Sequence, residues 1–167
     1  MSFEIDISSR QNILSIDVRG LTRAIERALQ IEQVTSAVLS VSVVDNKAIH
    51  EINREHLQHD FPTDVISFQL DFAFDQEAPD VAPAGLRAAG AMIEGEIIAS
   101  AEMAAEMASS GQWTPMNELT LYVIHGLLHI CGYDDLSAEE KAIMRMRERA
   151  ILNSLGLDLV YPNDEAP

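Results

Sequence analysis

The spacing of apolar positions changes several times along the chain, and each change predicts an element. Residues 3 to 17 alternate weakly: Phe3, Ile5 and Ile7, then Ile13, Leu14 and Ile16, on either side of a Ser-Ser-Arg-Gln-Asn break. That pattern predicts one or two short strands. From Val18 the apolar residues Val18, Leu21, Ile25 and Leu29 recur every three or four positions, which marks one face of a helix. AVLSVSVVD (37 to 45) reads as a strand. Asp45 can cap a helix running to about residue 58, with Ile49, Ile52 and Leu57 on one face, and Pro62 bars its continuation. A strand follows in DVISFQL, and residues 71 to 92, rich in Ala, Pro, Asp and Gly, predict a long surface loop rather than a domain boundary. GEIIAS (95 to 100) is a further strand, leading into an Ala/Met/Glu helix that stops near Ser109, Ser110 and Gly111. Thr114 and Pro115 supply a capping hydroxyl and a first-turn proline for a helix reaching Cys131. This helix is apolar nearly all round, so it is buried. Gly132 stops it, and Ser137 with Glu140 forms a capping box for a last helix to about Leu155, followed by the polar YPNDEAP.

At 167 residues, with 47% hydrophobic and 23% charged residues, the chain can bury a core and fold as one domain without staples. Its single cysteine, Cys131, cannot form an intramolecular disulfide, and MSFEIDISSR lacks the basic and apolar regions of a secretory signal. The longest apolar run, LYVIHGLLHIC, is too short for a bilayer and is interrupted by two histidines. These features predict a cytoplasmic protein with no membrane partner.

The net charge of −16 argues against broad contact with nucleic-acid phosphates, which calls for basic surface. The basic residues are nevertheless grouped. Arg19, Arg23 and Arg27 recur at helical spacing, as do Lys141, Arg145 and Arg149, with Arg147 beside them. They form either local positive stripes or solvated faces paired with Glu26, Glu139, Glu140 and Glu148.

The chemistry concentrates in the buried helix. His125 and His129 are four residues apart, so they project about 40° apart on one face and can share one metal ion. A hydrolytic zinc site needs at least one further ligand and an open position. Gly132 permits the chain to reverse, and Asp135 then completes the pattern H-x-x-x-H-x-x-G-x-x-D. This is the metzincin ligand layout with Asp as the last ligand and with Gly126 where metalloproteases place their general-base glutamate. A peptidase is thereby disfavoured. The competing reading is two core histidines hydrogen-bonded within the helix.

HGLLHICGYDD resembles the H-G-x-L-H-x-x-G-Y-D-H signature of the YbeY family of endoribonucleases and rRNA maturation factors. FPTDVISFQL (61 to 70) is similar to that family's P-T-D-V-L-S-F strand, and EGEIIAS (94 to 100) to its G-D-I-x-I-S segment. The resemblance implies an α+β fold. It would be a single domain over residues 1–160, with a mixed sheet of about four strands, the metal site on the buried helix and the following turn, and a polar tail at 161–167. It implies a Zn2+-dependent endoribonuclease with one ion per chain, specific for single-stranded RNA. The implied work is late small-subunit rRNA processing, including 3′-end maturation, and ribosome quality control. The implied partners are rRNA and the small ribosomal subunit, with no DNA, and the acidic surface suits basic ribosomal proteins or a ribosome-associated GTPase. Three positions depart from the family: Asp135 replaces a histidine, Glu96 an aspartate, and Leu57 an arginine. Arg54, His56 and His59 stand near Leu57, and His59, in the loop leading to Pro62, is the preferred substitute.

With Gly126 unable to act as base, the candidate proton acceptors are Asp134, Glu96 and the RNA's own 2′-hydroxyl, while His59 is a candidate catalytic residue in the arginine's place or else a plain surface histidine. Asp134 is equally a candidate for orienting a ligand histidine. Thr63, Asp64 and Ser67 are expected to end and fix a strand, and Cys131 to pack as a small hydrophobe that lies close enough to the ligands to be an oxidation point. Tyr133 either stacks on a base or packs against the turn. Two other function classes stand beside the nuclease: a zinc amidohydrolase or peptidase, and a non-catalytic ribosome assembly factor with a structural zinc.

Overall fold

A computed structural model of the chain describes residues 1–57, 59, 63–74, 85–110 and 113–157. In chain order the elements are β1 (Ser2–Ser9), α1 (Val18–Ile31), β2 (Ser36–Val44), α2 (Asn46–Leu57), β3 (Val65–Phe74), β4 (Ala91–Ser100), α3 (Ala101–Ser109), α4 (Pro115–Ile130) and α5 (Ala138–Ser154). The four strands form one sheet in the order β1-β2-β4-β3. β1, β2 and β4 are parallel, and β3 runs antiparallel to β4. This is the α+β fold with a mixed sheet that the family resemblance implied.

Alternation along the strands divides the sheet into two unlike faces. Ile5, Leu39, Val41, Ile93 and Ile97 face a large core shared with α1, α4 and α5. On the other face, Ile49 of α2 covers Val44, Ile66 and Ile98 in a small second core. The rest of that face carries Glu4, Asp6, Glu94 and Glu96.

Helix α4 lies at the centre of the large core, with Leu119, Val123, Ile124, Leu127, Leu128 and Ile130 fully buried. Two glycines let it settle onto the sheet. A Cβ at Gly95 would stand 2.5 Å from the Ile130 Cδ1 atom and 2.9 Å from the Phe68 carbonyl oxygen. One at Gly126 would stand 3.1 Å from an Ile97 methyl and 3.2 Å from a Val65 methyl. Position 126 therefore faces the sheet. Thr114 caps the helix by accepting from the Asn117 amide, with Pro115 in the first turn, and Gly132 reverses the chain after it at φ 98°.

Several expectations are corrected. Residues 13–16 form no strand: the Gln11 side chain accepts from the Ile13 and Leu14 amides and donates to the Leu14 carbonyl, so local bonds replace a sheet partner. Val18 is 46% exposed and stands outside the buried face of α1, and Leu57, at 41%, stands outside that of α2. The expected loop at 71 to 92 is shorter at both ends, because β3 continues past a bulge at Gln69/Asp71 to Phe74, which pairs with Ala91. Sheet pairing there overrides local composition. Of the capping box, Ser137 accepts from the Glu140 amide, while the Glu140 carboxylate turns to Arg87. The Gly111 stop and the polar tail at 161–167 lie outside the described residues.

Candidate metal centre

Helical spacing on α4 brings the His125 and His129 rings to a centroid distance of 4.8 Å, nearly perpendicular to each other. Their Nε2 atoms are 3.1 Å apart. The turn through Gly132 then returns the Asp135 carboxylate, whose Oδ2 lies 3.3 Å from His125 Nε2 and 3.6 Å from His129 Nε2. Among the described residues these three form a group able to hold a metal ion.

Hydrogen bonding at the far side of each ring sets what the inner atoms can do. His125 Nδ1 is 2.6 Å from a carboxylate oxygen of Glu148, and His129 Nδ1 is 3.1 Å from the Tyr133 carbonyl. Both partners accept, so each Nδ1 carries the proton and each Nε2 presents a lone pair. With both rings neutral, two imidazole lone pairs and a carboxylate thus converge, an arrangement that suits a cation: a metal ion, or in its absence a proton on one Nε2. The three separations also match the roughly 3.3 Å expected between ligands that each stand about 2.0–2.1 Å from one tetrahedral ion. The donor set fits zinc or a similar divalent ion.

Glu148 is the residue of the candidate site that the sequence alone misplaces. The sequence places it on a solvated face of α5, yet it is 2% exposed and holds the His125 ring. The signal was available, since Met144, Glu148 and Ile151 continue one buried stripe and a carboxylate in such a stripe needs a reason. Burial by itself would lower the His125 pKa, but the Glu148 hydrogen bond and charge, with Asp135 and Asp64 behind them, raise it above the ordinary imidazole value.

The turn is held from outside. Arg87 donates to the Gly132 carbonyl, pairs with Glu140 at 2.9 Å, and lies over the Tyr133 ring. Tyr133 is buried and donates its hydroxyl to the Gly85 carbonyl, with desolvation and the charge of Glu32 pushing its pKa up to about 12. It packs against the turn rather than offering its face to a base. Asp134 accepts from the Asp135 amide at 2.7 Å and so shapes the ligand's backbone; the orienting of ligand histidines falls to Glu148 and to the Tyr133 carbonyl. Cys131 is fully buried, and desolvation pushes its thiol well up from the ordinary value, so the expected oxidation point is shielded.

A cavity of about 470 Å3 opens beside His125 and Asp135, with Asp64, Glu118, Lys141 and Arg145 among its lining residues. Asp64 also accepts from the Val65 amide, and its carbonyl accepts from Ser100, so it fixes the strand as expected while facing this cavity. Ser67 lies under Gly126, beneath the metal helix. Glu96 is corrected: it lies on the opposite face of the sheet, in a groove with Glu4, Asp6 and Glu94, because its position alternates with the inward-facing Gly95 and Ile97. His59 is exposed beyond α2 with its amide bonded to the Asn53 carbonyl, and it is not among the cavity's described lining residues. His56 sits edge-on to Phe68, over the same face as Ile66. Arg147 leaves the proposed basic stripe, since it makes a two-pronged ion pair with the buried Glu32 at 2.7 and 3.1 Å.

Comparison with known proteins finds relatives along nearly the whole chain. Residues 6–156 match the family model described as Endoribonuclease YbeY. The chain is 43% identical over 164 residues to an Endoribonuclease YbeY from Rhodopirellula baltica, covering 97% of this chain and 76% of that one. It is 36% identical over 156 residues to an Endoribonuclease YbeY from Oceanobacillus iheyensis, covering 92% and 98%. The fold matches the solution structure of TM1509 from Thermotoga maritima with a TM-score of 0.54 at 23% identity, covering 96% of this chain and 99% of that one. With the family model spanning residues 6–156 and relatives 43% and 36% identical over more than nine tenths of its length, the chain belongs to the YbeY family.

Proposed function

We propose that the protein is a zinc-dependent, single-strand-specific endoribonuclease with one ion per chain held by His125, His129 and Asp135. The observation that carries this reading is the convergence of two Nε2 lone pairs and a carboxylate oxygen within 3.6 Å at the mouth of a cavity. When bound, zinc would polarise a phosphoryl oxygen and make a water more acidic. The chain's own residues do the remaining work. Glu148 and the Tyr133 carbonyl hold the two Nδ1 protons and so aim both Nε2 atoms inward. Asp134 sets the backbone from which Asp135 reaches them. The candidate proton acceptors are Asp64 beside the cavity, Asp134 and the substrate's 2′-hydroxyl.

A peptidase or amidohydrolase with a glutamate base is disfavoured on packing grounds, because a side chain at position 126 would run into Ile97 and Val65 rather than reach the cavity. The YbeY motifs support a role in processing of small-subunit rRNA, including its 3′ end, and in ribosome quality control in the cytoplasm, with the small subunit, its proteins and a ribosome-associated GTPase as partners. No helix among the described residues is long and apolar enough to cross a membrane. The non-catalytic assembly-factor reading draws on Glu4, Asp6, Glu94 and Glu96, which suit basic ribosomal proteins. Elemental analysis of the purified protein should find about one zinc per chain, and the loaded protein should cleave single-stranded RNA. His125→Ala or His129→Ala should abolish both. Full metal content in both variants would end the assignment to this helix, and binding to small-subunit particles without any RNA cleavage would favour the assembly factor.

A further inference from the structure

We propose that the groove between α3, α4 and α5 is an RNA subsite for one nucleotide flanking the scissile bond. Its phosphate would sit on Lys141 and Arg145, and its base against Met103, Met107 and Leu121. The inference rests on the endoribonuclease reading and adds to it the direction in which the strand leaves the metal.

The groove is continuous with the candidate centre, since His125 and Asp135 line it together with these five residues. α4 forms its floor from His125 back to Glu118, a rise of about 10 Å at 1.5 Å per residue. Its volume of about 470 Å3 falls within the range of small-molecule sites and leaves room for a base with its sugar. The apolar contacts come from two thioethers and a leucine, and Met107 is 51% exposed, so a flat ring can settle there without burying polar protein groups.

Charge selects the occupant. Lys141 and Arg145 are one helical turn apart on α5, and they are the basic residues that line the groove among those described. The other members of the sequence stripe do not line it, and Arg147 is committed to Glu32. Two cations beside a phosphodiester-cleaving centre are where the next phosphate of the strand is needed. The same lining holds four carboxylates, Asp64, Glu118, Asp135 and Glu148. A bound divalent ion together with Lys141 and Arg145 balances them, whereas the metal-free groove keeps an excess of negative charge and repels phosphate. RNA binding in this groove therefore depends on the metal.

The test uses the metal-loaded full chain, a cleavable single-stranded RNA and a 2′-O-methyl oligonucleotide of the same sequence as an unreactive binding probe. Lys141→Gln/Arg145→Gln, and Lys141→Gln alone as a milder change, should keep the metal. The double variant should weaken probe binding about tenfold or more and lower the slope of log K against log salt by about 0.7, the loss of one phosphate contact on a single strand. KM should rise while kcat stays within about threefold. An abasic site at one of the two positions flanking the cleaved bond should cost wild type about tenfold in affinity, and chelation should weaken probe binding by a similar factor. Wild-type affinity and slope in a metal-replete double variant that still cleaves would overturn the subsite and leave the nuclease standing. A loaded wild type that neither binds nor cleaves single-stranded RNA would overturn both.

Discussion

At the scale of single residues, the centre depends on groups that are not ligands. Glu148 fixes the tautomer of His125, and losing such a partner commonly costs 10–100-fold in metal affinity. Glu148→Ala should weaken zinc binding by about that factor in a chelator competition. Glu148→Gln, which can still accept from Nδ1, should fall between the two; equal affinity in all three proteins would remove Glu148 from the site. The raised His125 pKa gives a further expectation. A histidine that binds its proton more tightly in the folded state adds stability below its unfolded value, near 6.5, and loses that contribution as pH rises through the raised value. Metal-free protein should therefore be less stable above that window, and zinc affinity should rise across it as the competing proton leaves. Thermal melts of chelated protein at stepped pH check the first expectation, and zinc titration the second. Asp135→Ala should lose the metal, whereas Asp134→Ala, which removes only a bond to the Asp135 amide, should retain much of it. The opposite ranking would make Asp134 the ligand.

At the scale of elements, α4 is a site-bearing helix pressed onto the sheet at two glycines. Gly95→Ala meets a backbone carbonyl that cannot rotate away, so it should cost about 1–3 kcal/mol in denaturant unfolding. Gly126→Val should do likewise through Ile97 and Val65. Thr114→Ala, far from the metal, should cost about 1 kcal/mol through the lost cap and leave zinc affinity unchanged. Wild-type stability in all three would refute this account of the packing. The same elements show why some predicted boundaries held and others moved. The start and stop of α4 are local chemistry, a cap, a proline and a glycine, and they lie where the sequence placed them. The ends of β3 and β4 depend on each other, through the pairing of Phe74 with Ala91, and composition along either segment could not reveal them.

At the scale of the whole molecule, the centre ties together parts distant in the chain: α4, the turn held by Arg87, and α5 through Glu148. An ion that binds only this assembled state stabilises the fold by mass action. Chelation should thus lower the melting temperature by roughly 5–10 °C relative to protein with free zinc at a hundredfold its Kd. An unchanged melt would mean that the three side chains hold no ion. By itself, the sequence determined which helix carries the chemistry, since His125 and His129 share a face at helical spacing, and that Gly132 brings Asp135 back to them. It also determined, through the YbeY-like motifs, the family and the α+β class. Only the tertiary structure decided that Glu148 is buried against His125, that Glu96 lies across the sheet from the centre, and that Lys141 and Arg145 face the cavity while Arg147 turns to Glu32. The division has a physical cause. Spacing along one element fixes which side chains share a face, but which neighbour that face meets depends on how the helices and the sheet pack together.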